Sequence, residues 1–195
     1  MEIGQNFIQS AILWGAMMTA MMLPPSLPVL QAVRRISLDL WMPWSFALGL
    51  VGIWLGFSLV LAAMQWGGHR LFAGDFPAWI TPLLFVLAGG YQFSPWKLAC
   101  LKGCRSPLGF LLTSWRDGPW GGVRMGFRYG MICVGCCWAL MVLWFGVGIM
   151  NMYGMLAITA LVTVEKFLPL PPQVVSSATG IGLLGTAALQ FVWTI

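Results

Sequence analysis

Long apolar segments recur along the whole chain, and short polar connections separate them. A bilayer core about 30 Å thick requires about 20 apolar residues in a helix. The pattern therefore predicts an all-α fold, a polytopic transmembrane helical bundle that forms a single domain over residues 1–195. The six predicted spans cover residues 7–30, 43–66, 77–98, 127–149, 150–167 and 174–193.

Composition supports an integral membrane protein. Of the 195 residues, 59% are hydrophobic and only 8% are charged, whereas ordinary globular proteins carry about 25% charged residues. Such a chain cannot cover a water-facing surface. The N-terminal stretch carries Glu2 where a cleaved signal peptide would carry basic residues, so we expect the first span to be retained.

Basic residues are distributed very unevenly between the two sides of the predicted bundle. Nine fall on one side and only Arg70 falls on the other. The nine are Arg34, Arg35, Lys97, Lys102, Arg105, Arg116, Arg124, Arg128 and Lys166. The positive-inside rule then places both termini on the periplasmic side of a bacterial inner membrane. The net charge of +5 therefore reflects topology and contact with membrane lipid, and no nucleic-acid partner is expected.

Three cysteines open the fourth predicted span. Cys133, Cys136 and Cys137 stand at positions i, i+3 and i+4, which places three soft sulfur ligands on one helical face. Cys100 and Cys104 follow the third span on the same, cytoplasmic side, where thiols stay reduced. Nearby basic residues are expected to favour the metal-binding thiolate: Lys97, Lys102, Arg105 and Arg128. The alternative is that the cysteines only pack as small buried residues.

Methionines form a second group of sulfur ligands. Met17, Met18, Met21 and Met22 cover an arc of about 140° on the first predicted helix. Pro24 and Pro25 follow them and are expected to mark the late part of this span. A methionine face is commonly core filler, but next to five reduced thiols a ligand role gains support.

Ligand softness indicates the metal. Thiolate together with thioether selects Cu(I), and zinc, which rarely binds Met, is the second choice. The only histidine, His69, lies on the opposite side. Glu165 either faces the cysteine layer or pairs locally with Lys166. Gly126 and Gly130 form a Gly-x-x-x-Gly step that predicts close helix packing beside the cysteines.

Four segments carry a resemblance to a known family: residues 17–24, 90–97, 100–110 and 133–141, the last containing Cys-Val-Gly-Cys-Cys-Trp. The chain resembles the predicted metal-binding integral membrane proteins catalogued as domain of unknown function 2182, some of which are described as copper chaperones serving tyrosinase-type oxidases. The resemblance implies copper handling, and Met141 joins the candidate ligands. It also implies a histidine shortly before the cysteine block, where this chain has Tyr129.

Together these features predict a non-enzymatic Cu(I)-binding membrane protein, a copper chaperone or assembly factor for a copper-dependent oxidase or monooxygenase. In the predicted mechanism Cys100 and Cys104 collect the ion and Cys133, Cys136 and Cys137 hold it. The main alternative is a non-catalytic structural or assembly subunit of a larger membrane complex. A third hypothesis is that the chain is a membrane thiol oxidoreductase that uses Cys133 and Cys136.

Overall fold

The computed structural model describes residues 6–71, 77, 79–147 and 152–194. Within these ranges the regular secondary structure is entirely helical, as the apolar pattern predicts. The helices are α1 Phe7–Ile36, α2 Met42–Leu71, α3 Ile80–Tyr91, α4 Pro95–Arg105, α5 Pro107–Ser114, α6 Pro119–Val142, α7 Trp144–Val147, α8 Met152–Phe167 and α9 Pro172–Thr194. The predicted junction between the fourth and fifth spans, near Met150, lies outside the described residues.

Four helices are long and apolar enough to cross a membrane. They correspond to the first, second, fourth and sixth predicted spans and cover Phe7–Ile36, Met42–Leu71, Pro119–Gly146 and Pro172–Phe191. The third and fifth predicted spans form shorter helices: α3 has 12 residues and α8 has 16. At 1.5 Å per residue, α3 alone reaches about 18 Å, less than the bilayer core. The count of six spans therefore stays a prediction.

The third predicted span is divided between two helices. Helix α3 ends at Tyr91, and α4 begins at Pro95, so residues 77–98 do not form one continuous helix. Ser94 caps α4 by accepting a hydrogen bond from the Trp96 backbone N–H at 3.3 Å, and Pro95 fits the first helical turn because it has no N–H to satisfy. The new helix places Cys100 and Cys104 on a rigid element.

The first helix extends beyond the prolines expected to mark its late part. Pro24, Pro25 and Pro28 all lie inside it, and the helix continues to Ile36. Pro25 and Ser26 are buried, and the Ser26 hydroxyl donates to the Met22 carbonyl at 2.8 Å. Packing and local hydroxyl bonds make proline tolerable within such a helix.

Helices α2 and α6 pack closely through glycine. A Cβ atom at Gly126 would collide with the Phe46 backbone carbonyl, and one at Gly130 would lie 2.9 Å from Ile53 Cβ. This confirms the close packing predicted from the Gly-x-x-x-Gly step. Cys133 and Cys137 follow Gly126 and Gly130 on the same face of α6.

The basic residues gather toward one end of the bundle. A cavity of about 260 Å³ between the α1–α2 and α5–α6 connections is lined by residues from both, including Ser37 and Asp117. Arg34 and Arg35, in the last turn of α1, therefore lie at the same end as the start of α6. At the other end of α2, Arg70 lies 4.3 Å above the Trp66 ring. Which end faces the cytoplasm stays a prediction.

Candidate metal centre

A buried sulfur cluster forms where α4 meets α6. Cys133, Cys136 and Cys137 are at most 2% exposed, and Cys104 is 7% exposed. The Cys104 and Cys136 sulfurs lie 3.6 Å apart. Four cysteines from two predicted groups thus come together in one place.

Helix geometry aligns the α6 thiols. The Cys136 and Cys137 thiols both donate to the Cys133 carbonyl, at 3.1 and 3.0 Å. These are the i−3 and i−4 carbonyl bonds that short polar side chains form within a helix. Of these two sulfurs, that of Cys136 contacts Cys104 of α4.

Cys100 lies at the edge of the cluster and is only partly buried. It packs against the backbone of α6, where a Cβ at Gly135 would come within 2.9 Å of the Cys100 sulfur. A metal that binds this thiol has to displace its proton.

Helix α1 brings one thioether to the cluster. The Met22 sulfur lies 4.0 Å from the Cys137 sulfur. Met17, Met18 and Met21 are also buried, and they precede Met22 along the helix.

The thioether row continues beside α6. The Trp14 and Phe145 rings are 5.5 Å apart. Relative to the Met22–Cys137 contact, Trp14 lies eight residues earlier in α1, and Phe145 lies eight residues later, in the short helix α7 that follows α6. Met18 and Met141, both nearly fully buried, stand midway between these two contacts in the sequences of α1 and α6. The antiparallel register therefore places them at the same level, one turn away from Cys137.

Lys166 supplies the positive charge of the centre. Its ammonium nitrogen lies 3.0 Å from the Cys133 sulfur and 4.0 Å from the Met22 sulfur. Of the two alternatives for Glu165, the local pair with Lys166 does not form, because successive residues on a helix point about 100° apart, and the carboxylate pairs with Lys97 of α4. Lys97 and Arg105 are close to the cysteines in sequence. In the structure, however, both bind Glu165, as described below.

Tyr129 occupies the position where the resemblance implies a histidine. It is 3% exposed, and its hydroxyl donates to the Cys104 carbonyl at 3.3 Å. Tyrosine here binds the backbone that carries a candidate ligand. The cluster is therefore built of sulfur donors without imidazole.

The geometry favours a low coordination number. Among the described residues no group of three or more His, Cys, Asp or Glu donors is arranged to hold a metal ion. A pair of sulfurs is present in Cys104 and Cys136, and Cu(I) is the biological ion best suited to soft thiolate ligands.

A family model described as PpoB2, copper chaperone, matches residues 11–190. The chain belongs to this copper-chaperone family. No curated protein and no solved structure matches the chain.

The chain also contains a buried ion pair that the sequence analysis did not predict. Lys97 is fully buried, and its ammonium group lies 2.8 and 3.0 Å from the two carboxylate oxygens of Glu165. It also donates to the Gln92 side-chain oxygen, and the Ser176 hydroxyl donates to the Gln92 carbonyl at 2.6 Å. Arg105 donates to the Glu165 carbonyl through Nε at 2.7 Å. This network joins α4 to α8 and α9.

We predict that Lys97→Met lowers the free energy of unfolding by about 3–5 kcal/mol, because it leaves the Glu165 carboxylate buried without its partner. Removing both charges in Lys97→Met/Glu165→Leu should recover most of this loss. Denaturant unfolding in detergent micelles measures both effects. A double variant no more stable than the single one would contradict a direct pairing.

Proposed function

We propose that the chain is an integral membrane Cu(I) chaperone that holds the ion between Cys104 and Cys136 and passes it to a copper enzyme. The observation that carries this proposal is the 3.6 Å separation of these two buried sulfurs. At a metal–sulfur distance of about 2.3 Å, two sulfurs on one ion lie about 4 Å apart in trigonal geometry and about 4.6 Å apart in linear geometry. A small opening of the pair therefore admits the ion.

Lys166 makes this centre selective for a monovalent ion. Two thiolates and Cu(I) carry a net charge of −1, which the adjacent ammonium group of Lys166 neutralises. A divalent zinc ion in the same place would leave a net charge of +1 in an apolar interior, which is costly. Charge balance thus supports copper over zinc, in agreement with ligand softness.

The sulfur ligands form a path on either side of the pair. Cys100, which is partly exposed, is suited to receive the ion and deliver it to Cys104 by ligand exchange. Beyond the pair, Cys133, Cys137 and Met22 lead to Met18 and Met141, about 5 Å further along the helix axes. The weaker thioether ligands suit release, and Met17 and Met21 line the same side of the path.

The setting of this function is a bacterial inner membrane. In our proposal the chain spans it six times with both termini on the periplasmic side, and the discontinuous helices α3 and α4 together contribute the third span. A break in a membrane helix beside a buried polar network is typical of ion-handling membrane proteins. The chain transfers copper without catalysing a reaction, and the recipient is a copper-dependent oxidase or monooxygenase.

Replacement of Cys104 and Cys136 by Ser should abolish copper binding, because a hydroxyl is a poor ligand for Cu(I). Metal analysis of the purified protein under reducing conditions should give about one copper per chain for the native protein and Cys100→Ser, and none for the double variant. A double variant that retains its copper would show that these cysteines only pack.

The same metal analysis tests the charge argument. Lys166→Met should exchange part of its copper for zinc when both ions are supplied, whereas Lys166→Arg and the exposed control Lys102→Met should remain copper-selective. If Lys166→Met stays copper-selective, Lys166 does not determine the choice of metal. The proposal that Cys104 and Cys136 bind the ion would be unaffected.

Replacement of Met18 and Met141 by Leu should spare bound copper and reduce its delivery. Leu is a close core substitute for Met and costs less than about 1.5 kcal/mol per site. The measurement is copper loading of a co-expressed tyrosinase-type oxidase in copper-limited cells, with buried Met125→Leu as the control. Normal loading by the Met18/Met141 variant would mean that copper leaves by another route.

A further inference from the structure

A second charged site lies where α5 and α6 approach each other. A cavity of about 580 Å³ is lined by Arg116, Arg124 and Arg128, and by the side chains of Thr113 and Ser114. The cavity lies away from the sulfur cluster, since Arg124, Arg128 and Met131 lie on the face of α6 opposite to Cys133 and Cys137. None of its lining residues belongs to the proposed copper path.

The three arginines have no acidic partner within the described residues. No carboxylate there lies within 4.0 Å of their guanidinium groups, and Lys97–Glu165 is the ion pair that the described chain contains. The nearest acid in sequence, Asp117, accepts a hydrogen bond from the Trp115 indole at 2.9 Å. Three like charges around one cavity repel each other unless an anion joins them.

The α6 face below the arginines is apolar and exposed. Arg124 and Arg128 are one turn apart, Phe127 lies beside them on the helix, and Met131 continues the same stripe toward the middle of the helix. Phe127 is 47% exposed and Met131 is 51% exposed. The surface therefore changes from cationic to apolar along a helix that is long enough to cross a membrane.

We propose that this cavity binds the headgroup of an anionic phospholipid, with an acyl chain lying along Phe127 and Met131. Guanidinium groups bind phosphate oxygens in a bidentate manner, and the hydroxyl of Ser114 can donate to the same oxygens, whereas the Thr113 hydroxyl already donates within α5. The apolar stripe favours a lipid over a soluble phosphate ester, because only the lipid covers both surfaces. The site stands independently of the copper function.

The test uses the whole delipidated protein in a neutral detergent, titrated with phosphatidylglycerol or phosphatidylcholine and followed by native mass spectrometry. We expect one phosphatidylglycerol molecule per chain, bound about ten-fold or more tightly than phosphatidylcholine. The variant Arg116→Gln/Arg124→Gln/Arg128→Gln should lose this preference while its thermal transition stays unchanged.

The matched control Arg34→Gln/Arg35→Gln/Lys102→Gln removes three other charges from the basic side and should keep the preference. An equal loss in this control would overturn the proposal, since total charge would then account for the binding. Competition by glycerol 3-phosphate at the concentration of the lipid would also overturn it, because the site would then recognise a free phosphate ester.

Discussion

The buried ion pair between Lys97 and Glu165 holds Cys104 in place against the cysteine face of α6. Helix α4 has only 11 residues, and a helix this short is marginal without tertiary support. The carboxylate of α8 anchors it through a fully buried ammonium group, and Gln92 and Ser176 complete the hydrogen bonding. A buried charge that lacks its partner is strongly destabilising, so this pair restricts how α4 can move relative to α8.

Two successive residues of α8 contact different helices. Glu165 faces α4, while Lys166 faces Cys133 of α6 and Met22 of α1. The short helix α8 thus supplies both the carboxylate that anchors α4 and the ammonium group beside the cysteines. Opening the thiol pair for a metal ion needs little more than a sulfur displacement, because the helices that carry the sulfurs are already fixed.

Much of the fold and part of the centre could be predicted from sequence because they depend on local periodicity. The spacing of Cys133, Cys136 and Cys137 determines that they share a face, and the structure places all three sulfurs in one buried layer. The contacts between side chains of different helices could not be predicted in this way. Cys104 contacts Cys136 across 32 residues and Lys97 contacts Glu165 across 68, and such pairings depend on how helices dock. The break before α4 had a local signal in Ser94 and Pro95, whereas the passage of α1 through three prolines depends on its neighbours.

X-ray absorption at the copper K-edge of the copper-loaded protein tests the central claim most directly. We expect Cu(I) with two sulfur ligands, allowing a longer third sulfur contact, and no nitrogen ligand. The Cys136→Ser variant should lose this spectrum. Copper bound by nitrogen or oxygen ligands, or an unaltered sulfur shell in that variant, would contradict a centre built on Cys104 and Cys136.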